Sequence, residues 1–124
     1  MRFAHALLLL VAAGAAVARA AENASLEGKW TLHYNISGYS GDLDCAFNQK
    51  DSDVTGACKS PDGSVSVTGK VDGKNVTLQY KTEYNGDELT VVYTGKVESP
   101  TKFAGNVTVQ PMGADGEFSA TQSK

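Results

Sequence analysis

The chain has 124 residues, with 11 Lys and Arg against 14 Asp and Glu, a formal charge of −3 and 41% apolar residues. That length holds one domain with a single core. Both arginines, Arg2 and Arg19, lie in the first twenty residues, which argues against a nucleic-acid partner, because phosphate and base contacts lean on Arg and clustered Lys.

The start of the chain reads as an export signal. Arg2 supplies a positive charge, Phe3 to Val17 form an apolar run, and Ala18-Arg19-Ala20 is a small-x-small cleavage site. The run is short for a membrane span of about 20 residues, and nothing downstream resembles a second span. Residues 1–20 are therefore expected to be a cleaved signal peptide, 21–27 an N-terminal arm and 28–124 a single domain, secreted or periplasmic. The mature part carries 9 Lys against 14 acids, a net of −5. Cys45 is the first cysteine, too far from the cleavage site to carry a lipid anchor.

From Gly28 onward, apolar residues recur every second position, the period of a strand buried on one face. The segments are Trp30-Leu32-Tyr34-Ile36, Leu43-Cys45-Phe47, Val54 to Lys59, Val65-Val67, Val76-Leu78-Tyr80, Leu89-Val91-Tyr93, Val107-Val109, and Phe118-Ala120. Turn signals separate them. Ser37 to Gly41 is expected to make the first hairpin, Lys50 to Asp53 the second and Ser60-Pro61-Asp62-Gly63 the third. Asp72-Gly73 and Asn85-Gly86 are the dipeptides of two-residue type I′ turns. Centring on them pairs Val67 with Leu78 and Tyr80 with Val91. Ser99-Pro100-Thr101 and Pro111 to Gly116 supply the last two turns.

Two cysteines in an exported domain are most simply a disulfide. With a hairpin at residues 50–53, Gln49 faces Val54, Phe47 faces Gly56, and Cys45 lands opposite Cys58. Such a bridge is worth roughly 3 kcal/mol in the chain-entropy model. Eight sequential strands with one apolar face and no covering helix are expected to close on themselves, which buries that face and removes both edges. The fold expected is an all-β, eight-stranded antiparallel up-and-down barrel with one disulfide. Glycine recurs on its inner face at Gly56, Gly69, Gly95 and Gly105, either to pack large residues against small ones or to leave a cavity.

With that pattern in view, the chain resembles the calycin-type barrels, the lipocalins and avidins. Gly28-Lys29-Trp30 matches the Gly-x-Trp motif those families place near the closed end of the barrel. The resemblance implies a structural plug for Trp30. It departs from the avidins at Thr31-Leu32-His33-Tyr34, where they have the Asn and Gly-Ser that grip biotin, and in having one Trp. The chain also resembles the small bacterial inhibitors of secreted metalloproteases, exported eight-stranded barrels with one disulfide that push an N-terminal arm into the enzyme cleft. That resemblance implies a role for Ala21 to Glu27, although the arm here is short and the Cys45–Cys58 spacing tight.

An apolar interior with a few convergent hydroxyls is the usual form of a small-ligand site. Tyr34, Tyr80 and Tyr93 point inward with Phe103 and Trp30, and these five are the candidate ligand-binding residues. The partner expected is a small apolar or aromatic molecule; the alternative is a secreted protein engaged through the arm or loops. No cofactor, metal or enzymatic activity is expected. Acidic residues fall on turns, strand ends or the outer face, where none is expected to be desolvated enough for general acid or base work, and His33 points outward. Asp42, Asp44, Asp51 and Asp53 lack the spacing of a dedicated calcium loop. Asn23, Asn35, Asn75 and Asn106 begin Asn-x-Ser/Thr sequons, which matter only in a glycosylating host.

Overall fold

The computed structural model describes residues 22–123, so the expected signal peptide lies outside the described residues. Eight strands follow in order: β1 (Gly28–Ile36), β2 (Tyr39–Lys50), β3 (Asp53–Ser60), β4 (Gly63–Asp72), β5 (Asn75–Tyr84), β6 (Asp87–Ser99), β7 (Lys102–Gln110) and β8 (Ala114–Gln122). Each pairs antiparallel with the next, and β1 pairs with β8, so the sheet is a closed barrel with no free edge. This is the expected meander.

The two-residue period dictates which side chains go inside. Trp30, Leu32, Leu43, Cys45, Phe47, Val54, Val67, Val76, Leu78, Tyr93, Phe103, Val107 and Phe118 all share the inner parity and all are buried. Thr, Ser, Lys and Asp take the outer face. Cys45 stands opposite Cys58 with Cα atoms 4.0 Å apart, joined by a disulfide. Gln49–Val54 and Phe47–Gly56 flank them in the expected register.

Turn chemistry sets the other registers. Ser37-Gly38 and Asn85-Gly86 have φ of 53°, 89°, 54° and 86°, the positive pair a type I′ turn requires. Tyr80 therefore faces Val91, as expected, and the first hairpin closes on Ser37-Gly38, within the expected Ser37–Gly41 span, with Ile36 paired to Tyr39. The β4–β5 hairpin differs from expectation by two residues. Asp72 pairs with Asn75, and the turn is Gly73-Lys74, with positive φ (64°) at Gly73 and not at Asp72. Gly73 is held there by the N-terminal segment, donating to Asn23 Oδ1 and accepting from the Ala24 amide, both at 2.8 Å. A slip of two leaves every side chain on its face, so the core is unchanged. The last hairpin turns earlier than Gly116: Val109 pairs with Ala114, and Gly113 (φ 80°) closes the loop onto the Val109 carbonyl.

The inner glycines are occupied by neighbouring backbone. A Cβ at Gly56 would overlap the Ala46 carbonyl oxygen, one at Gly69 that of Thr77, and one at Gly95 that of Ala104. Gly95 and Gly105 face one another across β6 and β7. These glycines let strands bend tightly into a narrow cylinder; they do not leave a cavity.

In an antiparallel meander, alternate hairpins fall at opposite ends. Both termini join the 51–52, 73–74 and 100–101 turns at one end, which residues 22–27 seal. Leu26 is fully buried there, and its amide donates to Gln49 Oε1 at 2.7 Å. Gln49 Nε2 donates to the Ala24 and Asp51 carbonyls, each at 2.9 Å. The Trp30 indole donates to the Leu26 carbonyl at 2.9 Å. The opposite end carries the short 37–38, 61–62 and 85–86 turns and the 111–113 loop, and has no such cover among the described residues.

Gly105→Ala tests the curvature. Its Cβ would overlap the Thr94 carbonyl oxygen and the Gly95 Cα. Urea unfolding should show a loss of about 1–3 kcal/mol; an unchanged midpoint would mean that the strands approach less closely.

Candidate functional site

Inside the barrel a column of aromatic rings runs from the sealed end to the mouth. Trp30 and Phe103 pack edge to face at the bottom, centroids 4.9 Å apart. Phe103 meets Phe118 at 5.9 Å, Phe118 meets Tyr93 at 5.1 Å, and Tyr93 meets Tyr80 at 5.8 Å. The first three pairs are edge to face and the Tyr80–Tyr93 pair is tilted; such arrangements exploit the ring quadrupoles and add to the burial term. Trp30 is 1% exposed and Phe103 0%. These two candidate residues are thus packed together in the lower core, away from the mouth.

The three tyrosines lie higher. The Tyr80 and Tyr93 hydroxyls are hydrogen-bonded at 3.0 Å. Tyr34 lies over Gly41, its partner on β2, whose missing side chain leaves room for the ring. Burial pushes the Tyr93 hydroxyl above the ordinary phenol range, with Tyr80, Tyr34 and the hydrogen bond adding to the rise. Burial also raises Tyr80, opposed by its hydrogen bond with Tyr93. Both remain protonated at neutral pH and can offer an O–H or a lone pair.

Above the tyrosines the barrel opens into an apolar cleft of about 490 Å³. Strands β1 and β2 give it Tyr34, Ile36 and Tyr39; β5 and β6 give Tyr84 and Leu89; β7, β8 and the loop between them give Val109, Ala114 and Met112. Inner-face parity places Tyr39 and Tyr84 here: they continue the buried stripe past the point where the barrel covers it. Tyr39 (79% exposed), Tyr84 (63%) and Met112 (59%) are the large exposed hydrophobics of the described residues, and all three stand on this rim. Scattered apolar residues need no explanation, but a contiguous group at a concave site is how binding surfaces present themselves.

Of the five candidate residues, the structure thus puts Tyr34 on the cleft wall, Tyr80 and Tyr93 in contact below it, and Trp30 and Phe103 deep in the core. Sequence reasoning missed the rim residues Tyr39, Tyr84 and Met112. The alternation itself, continued from Tyr80 to Tyr84 and from Leu43 back to Tyr39, carried the signal for two of them. It also missed Leu26 as core, although Leu26 shares the parity of Gly28 and Trp30.

On the outer face, His33 Nδ1 and Asp42 Oδ1 are 2.6 Å apart, both exposed. Asp53 pairs with Lys70. Among the described residues no group of three or more His, Cys, Asp or Glu is placed to hold a metal ion. No helix of the described residues is long and apolar enough to cross a membrane.

No family model and no curated protein matches the chain. Among solved structures it is similar to a redesigned β barrel at 20% identity and a TM-score of 0.61, over 80% of this chain and 92% of that one. It is also similar to the redesigned β barrels mFAP1 and mFAP0, both bound to DFHBI. Identities are 17% and 18%, TM-scores 0.58 and 0.57, with 78% of this chain covered in each case and 94% and 98% of those chains. The likeness is one of fold: a closed eight-stranded barrel.

The tyrosine pair makes stability depend on alkaline pH. Both hydroxyls hold their protons more tightly folded than unfolded. Their contribution is complete below the unfolded value, near 10.0, and is lost as pH rises beyond it. The melting temperature should therefore fall above about pH 10. Tyr93→Phe should flatten that fall; an identical alkaline slope in the variant would show that the pair is not the cause.

Proposed function

We propose that this chain is an exported, non-enzymatic binding barrel that takes a small apolar or aromatic molecule at its open mouth. The observation that carries the reading is the asymmetry between the ends. Hydrogen-bonded chain covers one, while the other exposes an apolar cleft beneath Tyr39, Tyr84 and Met112. Tyr34, Tyr80 and Tyr93 are assigned to the site, with Tyr34 flanking the ligand and the Tyr80–Tyr93 pair beneath it. Trp30 and Phe103 support it from below, in keeping with the plug that the calycin resemblance implies for Trp30. The redesigned barrels of the same fold that hold DFHBI lend the reading support.

Export rests on the signal-like start of the sequence, and the Cys45–Cys58 disulfide suits an oxidising compartment. The alternative, a protein partner engaged through residues 21–27, has less behind it. Leu26 and the Ala24 backbone are tied into the barrel end, so freeing that arm would uncover core.

Titrating the mature protein with N-phenyl-1-naphthylamine, a neutral fluorescent probe, tests the proposal. Fluorescence should rise saturably and the melting temperature should increase with probe concentration. Leu89→Lys, which puts a charge in the cleft, should weaken the probe at least about tenfold. No saturable signal from the folded protein, or equal binding by the variant, would sink the reading.

A further inference from the structure

Among the described residues, the inner parity of the eight strands holds a single Asp, Glu, Lys, Arg or His side chain, Asp87. It pairs with Tyr84 across the last rung before the 85–86 turn. Its carboxylate therefore belongs to the mouth and not to the outer wall. Asp87 and Glu88 also line a second depression of about 600 Å³ on the same rim. That depression shares Tyr84, Leu89 and Met112 with the apolar cleft. Apolar floor, aromatic edge and carboxylates thus form one continuous surface.

The surrounding charge has the same sign. Glu83 stands directly opposite Glu88 on the outer face of that hairpin, an arrangement that costs stability through like-charge repulsion. Asp62 and Asp115 add charge from the other turns of this end. Lys59 and Lys81 are the nearby lysines, and both project from the outer face below the rim. The lysine–carboxylate pairs among the described residues, Lys70–Asp53 and Lys102–Glu98, both lie at the sealed end. The mouth is therefore a concave site with uncompensated negative charge, and low-dielectric walls focus such a field outward. Exposed tyrosine rings beside it add the attraction of an aromatic face for a cation.

We infer that the ligand is an apolar organic cation, an amine or quaternary ammonium on an aromatic or aliphatic body. Its charge sits between Asp87 and the Tyr84 ring, and its body lies in the cleft against Leu89, Val109 and Tyr34. This rests on the mouth being a binding site. A cation there also relieves the Glu83–Glu88 repulsion, which a neutral ligand leaves in place.

The test uses three naphthalene probes on the mature protein, carrying a trimethylammonium, a hydroxymethyl or a sulfonate group. The ammonium probe should bind at least about fivefold more tightly than the alcohol at low ionic strength, and the sulfonate most weakly. The preference should shrink toward parity in 0.5 M salt, where the screening length is only about 4 Å. Asp87→Asn, and separately Glu83→Gln with Glu88→Gln, should weaken the ammonium probe and spare the alcohol. Asp72→Asn, which removes the same charge at the sealed end, should change neither. Equal binding of ammonium and alcohol, or a preference lost equally in Asp72→Asn, would overturn the cation assignment while leaving the binding site intact. Failure of all three probes to bind would overturn the binding reading itself, and the assignment with it.

Discussion

The pairing of β1 with β8 is the contact on which the rest of the molecule depends. Without it the meander would be an open sheet with one oily face and two unpaired edges, and nothing in the chain after Gly28 could cover either. With it, the inner side chains below the mouth lose water together and every ladder finds a partner. Closure of so small a cylinder demands that neighbouring strands come close where they bend. Gly95 facing Gly105, and Gly116 against the Asn35 carbonyl, are the places where that demand is met. The same bends leave room in the lumen for one file of aromatic rings, Trp30 to Tyr80, and so determine that the interior is a packed core.

Much of this was legible because the strand period is two. Parity alone put Cys45 opposite Cys58 and Tyr80 opposite Val91 once the turns were set. It could not fix the β4–β5 turn, because Gly73 is held by Asn23 and Ala24, some fifty residues earlier in the chain. A dipeptide rule knows nothing of that partner. Leu26 and Gln49 were illegible for the same reason: each makes sense only as the other's partner, 23 residues apart. Parity says whether a side chain points in; it does not say how high it sits. That is why Trp30 and Phe103 entered the candidate site beside Tyr34, although their positions at the starts of β1 and β7 place them at the sealed end.

The two ends meet the same problem with different means. At the sealed end, Gln49 is an inner-face residue that could have been a buried unpaired amide. It instead donates to the Ala24 and Asp51 carbonyls and accepts from the Leu26 amide, so a polar side chain and a loose segment satisfy each other. At the mouth, two-residue turns are too short to fold across the opening. Inner-parity positions there must end in solvent, and a chain shaped by stability alone gains nothing by filling them with large apolar groups. Tyr39 and Tyr84 nonetheless occupy two of them.

That contrast bears on how tightly any ligand is held. The aromatic column fills the lumen, so a molecule at the mouth rests on top of the core and is enclosed from the sides only. An open cleft of this kind buries less of its ligand than a deep calyx does, and affinity has to come from what the walls offer. The walls offer ring faces at Tyr34, Tyr39 and Tyr84, and the carboxylate of Asp87 lines the adjoining depression at the edge. On the proposed reading, selectivity follows from charge and stacking, with shape a weaker discriminator. Homologous barrels that changed the residue at 87 would then be expected to change the class of molecule they take before they changed its size.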